Sequence, residues 1–395
     1  MDTNERSNLL KVIGPGLLFA GAAIGVSHLV QSTRAGAMFG LGLVGVVLIA
    51  NLTKFPGLSF GSRYSNATGL SLLEGYRRQG KWTLVVFSLL TAGTMFTVAA
   101  AVTLVTAAIL NQLVLSHLFQ EASLQLGCIV LFILIGILLK QGGFAWLDKV
   151  IKVLLGTMAA ITFTTTAMVI PEVEWGSFSL MLPAEAQTLA ALGFVVALAG
   201  WMPAPMDIAV WNSMWALAKR DATGHRPTPK ETRFDFNLGF ALCVLLALCF
   251  LLLGNVVMFQ EGVSPEKGGI GMAKQILSLF TETLGAWSYP VVGLCAFAVM
   301  FSTTLTVMDA FSRVLALLVE RFQRPESVGE AARDLAKESK YWVAFIALVL
   351  GSLVLLYFFL KNLAQMVDLA TTLSFVTTPV LAWFNHRAMH SDEVD

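Results

Sequence analysis

The sequence predicts an all-α membrane protein with ten transmembrane helices in two inverted repeats of five, helices 1 and 6 being broken. Three observations predict it. Ten stretches are apolar and long enough to cross a bilayer, near 10–33, 41–62, 82–112, 121–140, 146–170, 186–217, 235–260, 284–312, 341–360 and 362–386. Lysine and arginine collect on alternate connections, which fixes an orientation. The first and sixth stretches, equivalent under a five-plus-five split, are each interrupted near mid-depth by glycine or proline. Residues 1–395 are read as one transmembrane domain, with a first repeat at about 10–170 and a second at about 186–386.

Composition agrees. Of the 395 residues, 56% are hydrophobic and only 13% charged, where a soluble domain carries about 25% charged residues. The net charge of +1 gives no field for nucleic acid or another polyanion. The expected partners are the lipid bilayer and a small substrate, with the chain acting as a monomer. Cys128, Cys243, Cys249 and Cys295 lie in apolar stretches without metal-ligand spacing and read as small buried hydrophobes. The opening MDTNERSNLLK is too acidic and polar for a cleaved signal peptide.

With the N-terminus inside, the cytoplasmic connections hold Arg63, Arg77, Arg78 and Lys81, then Lys140, Lys149 and Lys152. Lys219, Arg220, Arg226, Lys230 and Arg233 follow, then Arg313, Arg321, Arg324, Arg333, Lys337 and Lys340. The other side holds only Arg34, Lys267, Lys274 and Lys361. An even number of spans places both termini in the cytoplasm, and a bacterial inner membrane is the expected location.

Span 1 reads GPGLLFAGAAIGVSHLVQSTRAGA. Gly21 and Gly25 weaken its helix, by about 1 kcal/mol each against alanine. Ser27 can bond backbone in place of the helix, and His28, the one intramembrane histidine, follows. Span 2 carries Lys54 in NLTKFPG, read as a snorkelling side chain. GYRRQGK at 75–81 imitates a phosphate loop, but Trp82 stands where Ser or Thr must hold magnesium and no strand precedes it. Span 5 opens with Asp148 and Lys152 four apart, an anchor at the membrane edge.

The run Ala186–Leu217 could span as one helix, yet Gly200–Ser213 reads GWMPAPMDIAVWNS. Pro203 and Pro205 lack N–H groups, which strips the carbonyls of Ala199 and Trp201 of helical partners. Met202 and Ala204 precede prolines and are pushed out of the α region. Asp207 follows directly, and an acid at membrane depth is a functional candidate by default. The outer loop 261–283 contains AKQILSLFTETLG, an amphipathic piece expected to lie over the outer vestibule. Spans 8 and 10 carry hydroxyl-rich faces at Ser302–Thr304 and at Thr371, Thr372, Ser374, Thr377 and Thr378, suited to gluing helices or lining a wet path. Asp309 and Arg313 are expected to pair locally.

These features resemble the Nramp family of divalent-metal transporters. Gly14-Pro15-Gly16 opens span 1 as in that family, followed by Ala35-Gly36-Ala37 and Phe39-Gly40. Arg63, Thr68-Gly69 and Leu147-Asp148-Lys149-Val150-Ile151 also fit, and Met202-Pro203 or Met206 resembles the family's span 6 methionine. The resemblance implies the LeuT-type inverted-repeat fold. It departs at the site. Where the family reads Asp-Pro-Gly-Asn, this chain reads Gly25-Val26-Ser27-His28, and the family's span 6 histidine is missing while Asp207 is new.

The candidate substrate-binding set is Gly25, Val26, Ser27, His28, Met202, Pro203, Ala204, Met206 and Asp207. Within it, His28, Asp207, Met206 and Met202 are the candidate metal ligands, imidazole and thioether suiting Mn or Fe better than Mg. His28 and Asp207 are expected to face one mid-membrane cavity. No cofactor is expected apart from a divalent metal as substrate. The alternative is a small organic or anionic solute, held by the positive N-terminal ends of the half-helices. Nothing assembles a nucleophile with a base, so the reading excludes an enzyme.

Overall fold

The computed structural model describes residues 14–118, 123–323, 335–359 and 361–394, without the side chains of 117, 142–152 and 154. The expected Asp148–Lys152 pair and the N-terminal tail to residue 13 fall outside that set. Among the described residues there is no strand. Span 1 comprises α1 (Pro15–Ala23) and α2 (Ser27–Phe39), bent by 47°. Span 2 is α3 (Val44–Thr68), followed by the short α4 (Leu72–Arg78), and span 3 is α5 (Lys81–Leu110). The helical run α6 (Leu124–Val169) covers spans 4 and 5, and span 6 is α7 (Leu189–Trp201) with α8 (Ile208–Thr223). Then come α9 (Pro229–Gly254, span 7), α10 (Gly269–Leu284), α11 (Tyr289–Gln323, span 8), α12 (Ser339–Phe359, span 9) and α13 (Leu363–Met389, span 10).

Among the described residues seven helices are long and apolar enough to cross a bilayer alone, and the bent pair α1–α2 makes an eighth if it is one span. Span 6 escapes that test because its break splits it into pieces of 13 and 16 residues. The run α6 differs from the two separate spans expected at 121–140 and 146–170. A straight rod of its 46 residues would measure about 69 Å. Yet Leu124 at its start packs toward Gly269 of α10, and Met168 at its end lines a cavity with Gln275 and Ser278 of the same α10. Two ends that meet one short helix cannot belong to a straight rod. The run therefore turns back on itself and supplies two crossings.

Outward faces are apolar: Leu52 is 74% exposed, Ile133 59%, Val343 68% and Phe358 72%. Water would not tolerate such a belt, and lipid does. Inside, small residues let backbones touch. A Cβ on Gly239 of α9 would lie 2.0 Å from the carbonyl oxygen of Gly16, and one on Gly254 would lie 2.3 Å from that of Thr33. Span 1 and span 7 thus pack backbone against backbone, as close membrane pairs do. The start of α1 is held the same way. Asp235 of α9 accepts from the N–H groups of Gly14 (3.0 Å) and Gly16 (2.6 Å), pairing a carboxylate with the positive end of the helix.

The loops close the two faces. The segment after α6 forms turns at Ile170–Glu172 and Trp175–Ser177, and straps the span 1–2 corner through Ser177 Oγ to the Leu41 N–H (3.1 Å). The amphipathic piece in loop 261–283 is α10, with Met272, Ile276 and Phe280 buried. Asp309 pairs with Arg313 at 2.7 Å as expected, and also accepts from the Tyr341 hydroxyl at 2.7 Å. Near the α4 connection Glu74 gathers Arg77 (2.6 Å), Arg78 (3.2 Å) and Arg321 (3.0 Å).

Candidate functional site

Span 1 leaves the helix at Ile24 and Gly25, where Ile24 is extended (φ −77°, ψ 93°), and resumes as a π-helical turn over Ser27–Ser32. Thr303 of α11 fills the notch. Its hydroxyl lies 3.1 Å from each of the carbonyl oxygens of Gly21, Ile24 and Val299. A Cβ built on Gly25 would stand 2.7 Å from Thr303 Oγ1 and 2.8 Å from its Cγ2. Thr303 therefore occupies the space that any side chain at position 25 needs. The aspartate of the family pattern has no room here.

Beyond the break, Ser27 Oγ lies 2.7 Å from the Ala23 carbonyl, 2.7 Å from His28 Nδ1 and 3.4 Å from the Pro203 carbonyl. It stitches the break of span 1 to that of span 6. His28 is fully buried, with Nε2 at 2.9 Å from the Cys243 carbonyl of α9. A carbonyl only accepts, so Nε2 donates to Cys243, while Nδ1 and the Ala23 carbonyl, each 2.7 Å from Ser27 Oγ, compete for its single hydroxyl proton. Nε2 with its proton offers no lone pair, and Nδ1 faces the Ser27 hydroxyl. His28 fastens span 1 to span 7.

In span 6, α7 ends at Trp201 and Met202 is extended (φ −94°, ψ 110°). The helix end and the proline-rich break turn carbonyls inward, and Lys54 of α3 binds three of them. Its Nζ donates to Ala199 (2.7 Å), Gly200 (2.7 Å) and Ala204 (3.2 Å). This corrects the sequence expectation for Lys54. The side chain does not run to the interface, because three inward carbonyls at a helix C-terminus outbid water at the membrane edge. The Trp201 indole turns to Ser374 Oγ of α13 at 2.7 Å.

Asp207 stands at the N-cap of α8 without capping it. It is 2% exposed, and among the described residues neither carboxylate oxygen has a hydrogen-bond partner. The Asn212 amide on the same helix is also buried and unpartnered. Met206 points elsewhere, with its sulfur 3.1 Å from where a Cβ on Gly57 would be. Met202 is fully buried.

Between the two breaks lies a narrow cleft of about 20 Å³, lined by Ala22, Ala23, Val26 and Ser27 of span 1, Val98 and Val102 of span 3, and Thr303 and Val307 of span 8. Span 6 contributes Trp201, Ala204, Pro205, Ile208 and Trp211. Not one of these side chains is charged. From the expected set, Val26, Ser27 and Ala204 lie on the cleft, Gly25 adjoins it through Thr303, and Pro203 offers its carbonyl to Ser27. His28, Asp207, Met202 and Met206 are not among the lining residues. No hydrogen bond or ion pair joins His28 to Asp207 among the described residues, because His28 is bound to Cys243 instead. Nor do three His, Cys, Asp or Glu side chains cluster there as metal ligands.

Sequence reasoning missed Thr303 and Lys54 as parts of the breaks. Lys54 did carry a signal, being a cation inside an apolar span. Thr303 carried none, since its role depends on which helix faces Gly25. The hydroxyls of spans 8 and 10 tie helices together, Ser374 of span 10 accepting from Trp201. Thr304 bridges to Thr106 of span 3 at 2.7 Å, while Thr303 opens onto the cleft.

Two discontinuous helices meeting across a central cleft define a carrier of the broken-helix, inverted-repeat class. Solved structures share that fold. A mutant manganese transporter of Eremococcus coleocola superimposes with a TM-score of 0.64 at 14% identity, covering 96% of this chain and 78% of that one. MhsT in complex with L-phenylalanine gives 0.61 at 10% identity, covering 94% and 87%. The family model for natural resistance-associated macrophage protein-like (Nramp) proteins matches residues 16–394. The chain belongs to the Nramp family and is an integral membrane protein of the transporter kind. An uncharacterised protein of Pasteurella multocida is 35% identical over 386 residues, covering 94% of this chain and 83% of the relative. A metal transporter of Populus trichocarpa is 25% identical, covering 75% of this chain and 55% of its own length. A divalent metal cation transporter of Pseudomonas aeruginosa is 23% identical, covering 66% and 60%.

Proposed function

We propose that this protein is a secondary transporter of a divalent metal cation, with Asp207 as the anionic anchor of the transported ion. The observation that carries the reading is the buried Asp207 carboxylate with two unpartnered oxygens. An isolated buried charge costs several kcal/mol, and a cationic guest offsets that cost. Lys54 and His28 cannot, since backbone carbonyls already hold them. The names of the Populus and Pseudomonas relatives support a metal as that guest. A transition ion such as Mn or Fe is favoured over Mg if the buried Met202 thioether of the same break turns to the ion.

No nucleotide-binding motif occurs in the sequence, so transport is driven by an ion gradient or is passive. Proton coupling cannot use position 25, where a glycine stands. In this reading the chain works as a monomer in a bacterial inner membrane with both termini cytoplasmic, following its lysine and arginine distribution. Repeats at about 10–170 and 186–386 form one transmembrane domain.

A second reading rests on the cleft. Its neutral, partly aromatic walls suit a small organic solute better than a bare ion. Uptake into proteoliposomes separates the two: Mn, Fe, Mg and Ca against a panel of small organic solutes at equal concentration. Metal uptake that Asp207→Asn abolishes supports the first reading. Uptake of an organic solute alone, unchanged in Asp207→Asn, supports the second.

A further inference from the structure

The break in span 6 exposes three carbonyl oxygens that converge on one point, those of Ala199, Gly200 and Ala204. They lie 2.7, 2.7 and 3.2 Å from the Nζ of Lys54. The first two belong to the C-terminal end of α7, where the helix dipole is negative. The third is released by the proline-rich break. Carbonyl oxygens set this way, at the end of a helix and away from water, are the ligand set of an alkali-cation site. Lys54 is 6% exposed, and these carbonyls receive all its hydrogen bonds given among the described residues.

We propose that the span 6 break is a monovalent-cation site of ammonium or potassium size, and that Lys54 fills it with the chain's own ammonium in place of a free ion. A tethered ammonium cannot diffuse away, so this half of the break does not depend on a free salt cation. It also takes the carbonyls of Ala199, Gly200 and Ala204 out of the ligand set open to a transported ion. The site therefore binds no free sodium or potassium, and span 2 is pinned to the first half of span 6. Distances near 2.7 Å match K⁺ and ammonium, which are nearly equal in size, better than the smaller Na⁺. This inference is independent of which substrate the protein carries.

The test reads folding rather than uptake, so its outcome is separate from that of the Asp207 reading. Purified protein is melted in KCl, NaCl and choline chloride at equal ionic strength. Wild type should melt alike in all three. Lys54→Met keeps the length of the stem and removes the charge. It should melt below wild type in choline and recover in KCl by on the order of 2–4 °C, saturably and more than in NaCl. Lys54→Ala leaves the room vacated by the stem, and propylammonium chloride should restore it better than choline does. The proposal is overturned if both variants melt identically in every salt. It is overturned equally if neither variant yields monodisperse protein in any of them, since a carbonyl site must accept a replacement cation. A potassium-specific stabilisation of the wild type would also overturn it, because the site would then not be filled by Lys54.

Discussion

Arg34 and Asp368 form a two-pronged ion pair, with Nη1–Oδ1 at 2.6 Å and Nη2–Oδ2 at 3.0 Å. Gln31 joins it, donating to Asp368 at 3.1 Å and accepting from Arg34 at 2.7 Å. Arg34 also lies 4.9 Å above the Phe194 ring. One guanidinium thus ties the second half of span 1 to span 10 and to the first half of span 6. Arg34 lies six residues beyond His28, or about 9 Å along the helix, on the outer side of the breaks in the expected orientation.

The pair should act as a clasp on that side. Asp368 is about one-third exposed in its side chain, so solvent screening limits the pair to about 1 kcal/mol. Asp368→Asn should shift the ratio of closed to open outer side about fivefold. Single-cysteine labelling from the outside, with a probe placed at Ser27 in a background without native cysteines, should accelerate by that factor. Equal labelling rates would show that the pair does not hold the outer side closed.

Asp207→Asn should separate function from stability. The carboxylate has no protein partner, so the substitution breaks no hydrogen bond and removes a buried charge. The variant should melt no lower than wild type, while cation uptake falls by about tenfold or more, the loss of one charge contact of ~1.4 kcal/mol or above. A melting temperature several degrees lower would reveal a counter-charge that stabilises Asp207 in the empty protein.

Position 25 and Thr303 should be coupled. Gly25→Ala places a Cβ within 2.8 Å of two Thr303 atoms, an overpacking that costs about 1–3 kcal/mol. Thr303→Ala removes both clashing atoms, so the double variant should recover most of that loss. A cycle over the single and double variants should give a coupling of about 0.5–3 kcal/mol. Strict additivity of the melting shifts would mean that Thr303 does not fill the notch. Gly25→Asp should express as folded protein only together with Thr303→Ala, and that pair should show stronger divalent-metal uptake than wild type.

Gly200→Ala should fail more severely. A Cβ there would lie 1.9 Å from the carbonyl oxygen of Thr371 in span 10, and backbone cannot swing aside as a side chain can. Span 6 would be forced off span 10, at a cost above about 2 kcal/mol. Since Lys54 also holds the Gly200 carbonyl, the variant should lose melting temperature and uptake together. Wild-type melting in Gly200→Ala would mean that the two spans are not in backbone contact.

The sequence by itself determined the membrane class, the crossings and the two breaks. Those features are local. Proline deletes an N–H wherever it stands, glycine weakens any helix, and apolar runs partition into lipid regardless of their neighbours. Gly25 and Pro203 thus marked the breaks without any tertiary information. What the broken ends meet was decided only by packing. His28 found the Cys243 carbonyl rather than Asp207, because α9 lies against α2. Lys54 reached the span 6 carbonyls because α3 passes the end of α7. Thr303 displaced any side chain from position 25 because α11 crosses the notch. Partner choice depends on distances of a few ångströms between segments far apart in sequence, 334 residues for Arg34 and Asp368, and no local pattern encodes them.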